Sequence, residues 1–147
     1  MGCDVRLLGQ AFAPGIELAA FCAAHADSGG IASFLGQVRG GGAELLELKH
    51  YEPLTLPGMR ELAATCLSRW QLDGLLILHR TGQMAPGEPI VLVAAAAPHR
   101  AQAFAAVDCA MDHLKSESWF WKRERRGGKW HWIEPRADDY AAVRRWA

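Results

Sequence analysis

The chain has 147 residues, half of them hydrophobic, and 16 Lys and Arg against 16 Asp and Glu, so it carries no net formal charge. That balance argues against a nucleic-acid coat protein, and the length and apolar content suit a single domain over residues 1–147. There is no basic start followed by a long apolar run, and no window reaches the ~20 apolar residues of a membrane span, so a soluble, cytoplasmic protein without membrane contact is expected. Cys3, Cys22, Cys66 and Cys109 are scattered without a Cys-x-x-Cys pair. They read as reduced thiols, mostly in a core, in a reducing compartment.

In chain order, residues 3–12 read as a strand, Pro14 and Gly15 as a break, and 16–26 as a short helix stopped by Ser28-Gly29-Gly30. Residues 31–39 form the next strand and run into Gly40-Gly41-Gly42. Arg39 therefore emerges at a strand end beside a flexible loop, where a guanidinium is well placed to hold an anion. Residues 45–51 alternate as a strand. A helix over 57–71 has Pro57 near its first turn and buries Met59, Leu62, Ala63, Cys66, Leu67 and Trp70. Two apolar runs, 75–80 and 90–97, flank the turn signal Pro86-Gly87 and suggest an antiparallel pair.

Pro98 opens the next helix, with His99 and Arg100 in its first turn. Cations there disfavour the helix by a few tenths to about 1 kcal/mol, so the pair points to a bound anion held with the free backbone donors of the helix start. No second ligand stands at metal spacing, so no metal is expected. Over residues 101–114, Phe104, Val107, Met111 and Leu114 recur at spacings of three and four and form the apolar stripe of a packed helix, with Lys115 where it ends. A last helix is expected over 138–146.

Between these helices lies a stretch rich in aromatic and basic residues. Lys115 and Lys122 bracket Trp119, Phe120 and Trp121. Gly127-Gly128 suits a two-residue hairpin turn, which sets Arg126 opposite Lys129 and Lys122 opposite Ile133. Phe120, Lys122, Glu124, His131 and Ile133 then share one face, and Trp119, Trp121, Arg123, Arg125, Trp130 and Trp132 the other. Stacked guanidinium and indole explain the second face structurally, at about 0.5–1 kcal/mol per exposed contact. The same aromatics interleaved with cations also allow a single-stranded nucleic-acid platform. From Lys115 to Arg136 there are seven Lys or Arg against Glu117, Glu124 and Glu134, a basic patch suited to an anionic ligand.

Several motifs, in order, carry a resemblance: Phe34-x-Gly36-x-Val38-Arg39, His79-Arg80-x-Gly82, His99-Arg100, His113-Leu114-Lys115, Phe120-Trp121-Lys122-Arg123-Glu124 and Trp132-Ile133-Glu134-x-Arg136. Together they resemble the large, catalytic subunit of molybdopterin synthase. One departure is an insertion at residues 52–56.

The resemblance implies an α/β (α+β) fold with a hammerhead-like core, mainly antiparallel strands and a C-terminal hairpin, and no cofactor. It implies a homodimer within a heterotetramer, binding a small ubiquitin-like sulfur carrier whose C-terminal Gly-Gly ends in a thiocarboxylate. The substrate implied is cyclic pyranopterin monophosphate, a pterin that receives two sulfurs to become the molybdopterin dithiolene. Lys115 and Lys122 would stand at the chemistry. Phe34, Gln37, Val38, Arg39, His99, Arg100, Arg123 and Glu124 would bind substrate, and Arg136 would reach the neighbouring subunit's site. A carrier-binding scaffold without activity is the alternative.

Overall fold

The computed structural model describes residues 2–117 and 119–147. Its elements run β1 Cys3–Leu8, α1 Pro14–Ala24, β2 Gly30–Gln37, β3 Leu45–His50, α2 Thr55–Arg69, β4 Gly74–Arg80, β5 Gly82–Met84, β6 Pro89–Ala97, α3 Arg100–Ser116, β7 Phe120–Arg126, β8 Lys129–Ile133 and α4 Ala137–Arg144. Sheet A has the order β1-β4-β6-β2 and sheet B the order β5-β3-β7-β8. Among the described residues only β1 and β4 pair in parallel, and every other ladder is antiparallel. The architecture is thus the mixed, mainly antiparallel one expected.

Strands β4 and β6 are apolar almost throughout because sheet A is covered on both faces. Leu75, Ile77, Val91, Val93, Ala95 and Ala97 face one core with residues of α2 and α3, whereas Leu76, Leu78, Leu92, Ala94 and Ala96 face a second core with Phe21 of α1. Ala95 and Ala97 of β6 share the first core with Ala103, Ala106 and Ala110 of α3, all essentially buried. Small side chains on both partners let helix and sheet approach closely.

The expected pairing of 75–80 with 90–97 is present as β4–β6. Their connection is not a simple turn, because Gly82–Met84 leaves sheet A and joins sheet B as β5. Gly82 has φ +91°, a conformation that glycine adopts without strain, and it makes this switch two residues after Arg80.

Other boundaries move. β1 stops at Leu8 rather than at residue 12, and α2 begins at Thr55 rather than at Pro57. Thr55 is fully buried; its Oγ1 accepts from Tyr51 N–H (3.0 Å) and donates to the Trp119 carbonyl (2.6 Å), so residues 52–56 form a turn and the first turn of α2. The stripe on α3 is also corrected: Val107 and Leu114 are buried, but Phe104 is 64% exposed. Cys66 and Cys109 are core residues, Cys3 is half-buried, and Cys22 is exposed; all four are free.

Candidate active site

The hairpin has the register that its Gly-Gly turn dictates, with Arg126 opposite Lys129 and Lys122 opposite Ile133. β7 also pairs with β3, setting Lys122 opposite Leu48 and Arg123 opposite Glu47. Alternation therefore gives β7 two unlike faces. On one, Phe120 and Ile133 flank Lys122 and pack on an apolar cluster of Val38, Leu46, Leu48 and Met84. On the other, Arg123 donates to Glu47 at 2.7 Å and lies over the rings of Trp130 and Trp132, 4.3 and 5.6 Å from their centroids.

Trp119 does not belong to that second face. It precedes β7, and its indole packs against Gly58 of α2, where an added Cβ would meet Nε1 at 2.5 Å. Trp121 stands edge-on to both Tyr51 and Trp132. The aromatic residues are therefore engaged with one another and with Arg123, not set out as a free stacking row.

Three cations converge on the Lys122 face from separate elements. Lys122 comes from β7, Lys115 from the last turn of α3, and Arg39 from the segment just past β2. A β-bulge at Gly36/Gln37 ends the β2 ladder; Val38 then donates to the Glu88 carbonyl and accepts from Gly87 N–H, both at 2.9 Å. Pinning buried Val38 in this way projects Arg39 outward at a fixed point. The Lys122 ammonium is disfavoured first by burial and then by the charge of Lys115, with Arg39 adding to it; Glu124 and Asp139 oppose, and the pKa falls below its ordinary value. Among the described residues, no carboxylate forms an ion pair with Lys115, Lys122 or Arg39. Glu124 shares the Lys122 face but is tied to Arg126 at 2.7 Å. A half-buried lysine beside two exposed cations that lack ion-pair partners is a place for an anion.

His99 and Arg100 lie elsewhere in the same chain. His99 is the N-cap of α3, and Gly30 at the start of β2 approaches Arg100, so both sit at the opposite end of β2 from Arg39. At about 1.5 Å rise per residue, α3 separates Arg100 from Lys115 by about 22 Å along its axis. Phe34 is exposed on β2, as is Gln37. Arg136 caps α4, its N–H donating to Asp139 at 3.0 Å, and its side chain is 74% exposed. A cavity of about 300 Å³ between α2, α3 and the chain's end is lined by Cys66, Cys109 and Trp146 and by none of the expected site residues.

Two residues of this region were not singled out from the sequence as site residues. Glu47 is 8% exposed; burial alone would raise its carboxyl, but hydrogen bonds from Arg123 and Gln83 outweigh it and hold the pKa below the ordinary value. His79, at the end of β4, stacks on Phe120 with ring centroids 4.0 Å apart. Alternation in the run 75–80 signals that His79 shares a face with Leu75 and Ile77; nothing local signals the partner of Glu47, because the β3–β7 pairing is long-range.

The mixed two-sheet fold is shared with known proteins. The family model described as MoaE protein matches residues 13–117. The molybdopterin synthase catalytic subunit of Caulobacter vibrioides is 44% identical over 97% of this chain and 96% of its own length. Among solved structures, molybdopterin cofactor biosynthesis protein E from Burkholderia multivorans superposes with a TM-score of 0.84 at 36% identity, covering 99% of this chain and 97% of that one. A Helicobacter pylori structure, the complex of subunits 1 and 2 of molybdopterin-converting factor, shares the fold with a TM-score of 0.76 at 19% identity over 90% and 91% of the chains. The chain belongs to the MoaE family.

Proposed function

We infer that this chain is the catalytic subunit of a molybdopterin synthase, which transfers sulfur from the C-terminal thiocarboxylate of a small ubiquitin-like carrier to cyclic pyranopterin monophosphate. The observation that carries the reading is the convergence of Lys115, Lys122 and Arg39, from three elements, without a carboxylate partner. A cyclic phosphate and a thiocarboxylate are both anions and repel each other in water. Cations between them stabilise their approach and the charge that develops during transfer. A lysine whose pKa is lowered also exchanges protons more readily near neutrality, so Lys122 moves protons as sulfur adds, with Lys115 beside it.

The full substrate site needs a second copy of the chain. About 22 Å of helix keeps Arg100 from reaching a small substrate at Lys115 in the same copy. β2 is an edge strand of sheet A with Ile31, Phe34 and Leu35 exposed, and α3 carries exposed Phe104. Antiparallel pairing of two β2 edges about a twofold axis sets the His99–Arg100 end of one copy beside the Arg39–Lys115 end of the other. Each dimer then holds two composite sites, each with its own carrier, and Arg136 extends toward the neighbouring site. Four free cysteines fit a reducing cytoplasm. No helix among the described residues is long and apolar enough to cross a membrane.

Reconstitution tests the reading: the purified chain, a thiocarboxylated carrier and the cyclic pterin should yield the dithiolene product. Tight carrier binding with an unchanged substrate would leave only the scaffold role. Mixing inactive Arg100→Ala and Lys115→Ala chains tests the composite site. Random exchange restores about a quarter of wild-type sites if the two residues act across the dimer, and none if they act within one copy.

A further inference from the structure

Arg80 ends β4, two residues before the chain passes from sheet A into sheet B, and it is 5% exposed. Alternation turns it away from His79 and onto the face of Leu76 and Leu78. Its guanidinium reaches two other segments: Nη1 donates to Glu88 Oε1 at 3.1 Å, and Nη2 donates to the Gln83 carbonyl of β5 at 3.4 Å. Among the described residues Nε is buried without a partner. A buried cation with an unmet donor costs the fold stability, so packing alone does not account for an arginine here.

Glu88 connects Arg80 to the end of β2. Residues 85–88 make a Pro-Gly turn, closed by Glu88 N–H donating to the Ala85 carbonyl at 3.1 Å, with Gly87 at φ +89°. The carboxylate braces this turn from inside: Oε2 accepts from Ala85 N–H at 2.6 Å, and Oε1 accepts from Arg80. The turn's backbone in turn holds Val38, whose N–H donates to the Glu88 carbonyl and whose carbonyl accepts from Gly87 N–H, both at 2.9 Å. Pro89, the register partner of Gln37, has no N–H to give the ladder, so past the bulge buried Val38 is the last fixed point of this strand. Arg39 is the next residue. Beyond it the chain runs into three glycines, where exposed Arg126 bonds the Gly41 carbonyl at 2.9 Å, so the buried anchor of Arg39 is the one on its Val38 side.

We propose that Arg80 is a positioning residue for Arg39: Arg80 holds the Glu88 carboxylate, the Glu88 turn holds Val38, and Arg39 is thereby fixed at the lysine groove before an anion arrives. A cation whose backbone is already ordered binds an anion without the cost of ordering it on contact. The anion is the phosphate-bearing substrate inferred above. The effect on turnover therefore rests on that reading, whereas the hydrogen-bond path from Arg80 to Val38 does not.

Two variants test it. Arg80→Met keeps an unbranched chain in the buried site and removes the charge and the donors. Glu88→Gln leaves an acceptor for Ala85 N–H and removes the carboxylate at a half-exposed position, where the fold is less at risk. The first measurement is amide hydrogen exchange in the chain alone, without substrate or carrier. In either folded variant the Val38 amide exchanges at least about tenfold faster relative to that of Val93, which is buried in the centre of sheet A, whereas a general loss of stability would move both amides together. The second measurement is turnover by the reconstituted enzyme, with each variant made in the wild-type chain and again in Arg39→Ala. Arg80→Met raises KM for the cyclic pterin about tenfold and Glu88→Gln about threefold, and neither adds more than about twofold once Arg39 is alanine. Equal effects in the two backgrounds would overturn the proposal, because they would not pass through Arg39. So would an unchanged ratio of Val38 to Val93 exchange in a folded variant. An inactive wild type would refute the synthase reading instead, and the exchange ratio alone would then uphold or overturn the path from Arg80 to Val38.

Discussion

The two faces of β7 use cations in opposite ways. On one face Arg123 is fully occupied, with a carboxylate at 2.7 Å and two indoles over its plane, in a network whose internal partners account for its position. On the other, one residue along, Lys122 is half-buried among Phe120, Ile133 and Leu48 with two further cations as neighbours and no ion-pair partner. A folded chain gains nothing from that second arrangement; desolvation and like charge both count against it. The difference teaches that in this basic stretch satisfied cations build the strand, whereas the unsatisfied ones are free to hold the anions of the proposed reaction. Arg123, which the family resemblance places among the substrate-binding residues, is held by Glu47 and two indoles on the strand that presents Lys122.

The contrast breaks most visibly in turnover. Lys115→Ala and Lys122→Ala should each reduce single-turnover rates at least about a hundredfold while changing stability by less than about 1 kcal/mol, since neither side chain holds an internal ion pair. Lys129→Ala, fully on the surface at the hairpin turn, should change neither. Thermal melts and rapid-quench rates on the three variants check this together. Near-normal rates for either site lysine in a folded protein would remove it from the chemistry.

On the occupied face the order reverses. Glu47→Ala leaves Arg123 without its charged partner in a partly buried position and strands the Gln83 amide, so stability should fall by about 1.5–3 kcal/mol, the range for hydrogen bonds to charged groups. The rate per folded molecule should stay near that of wild type. Denaturant unfolding measures the first and active-site-normalised turnover the second. A large rate loss with unchanged stability would move Glu47 and Arg123 into the active site.

How much of this was legible in the sequence depends on range. The hairpin register followed from Gly127-Gly128, because a two-residue loop fixes pairing without help from the rest of the chain. Lys115 at a helix end and Arg39 at a strand end were equally local, although β2 stops at Gln37 rather than at residue 39, whereas the fold class came from the resemblance carried by several motifs in order. Trp119 was misplaced because its indole is held by Gly58, sixty-one positions upstream, rather than by strand alternation. Phe104 fitted the stripe of α3 by spacing and is nevertheless exposed, since periodicity counts apolar residues without saying whether a partner covers them. The pairing of β3 with β7, which brings Glu47 to Arg123 and Leu48 under Lys122, is a long-range choice with no local signature.

The smallest expected effect tests whether the Lys122 charge is costly to the fold. Burial and neighbouring cations hold the Lys122 pKa below its usual 10.5 in the folded protein. At neutral pH the ammonium is protonated in both states, and the native state bears the cost of the half-buried charge. As pH rises from the folded pKa toward 10.5, the native lysine releases its proton first, the unfolded chain binds more protons than the folded one, and stability rises. Lys122→Met keeps the apolar stem and removes the charge, so it should melt higher than wild type at pH 7, by less than about 1 kcal/mol because the amine is only partly shielded from solvent. The advantage should shrink as pH approaches 10.5 and the wild-type cost disappears. Melting curves for both proteins from pH 7 to 10.5 check this. A constant offset would assign the gain to packing alone, and a Met variant that melts lower at pH 7 would mean that Lys122 has a stabilising partner in the fold and belongs with Arg123 rather than opposite it.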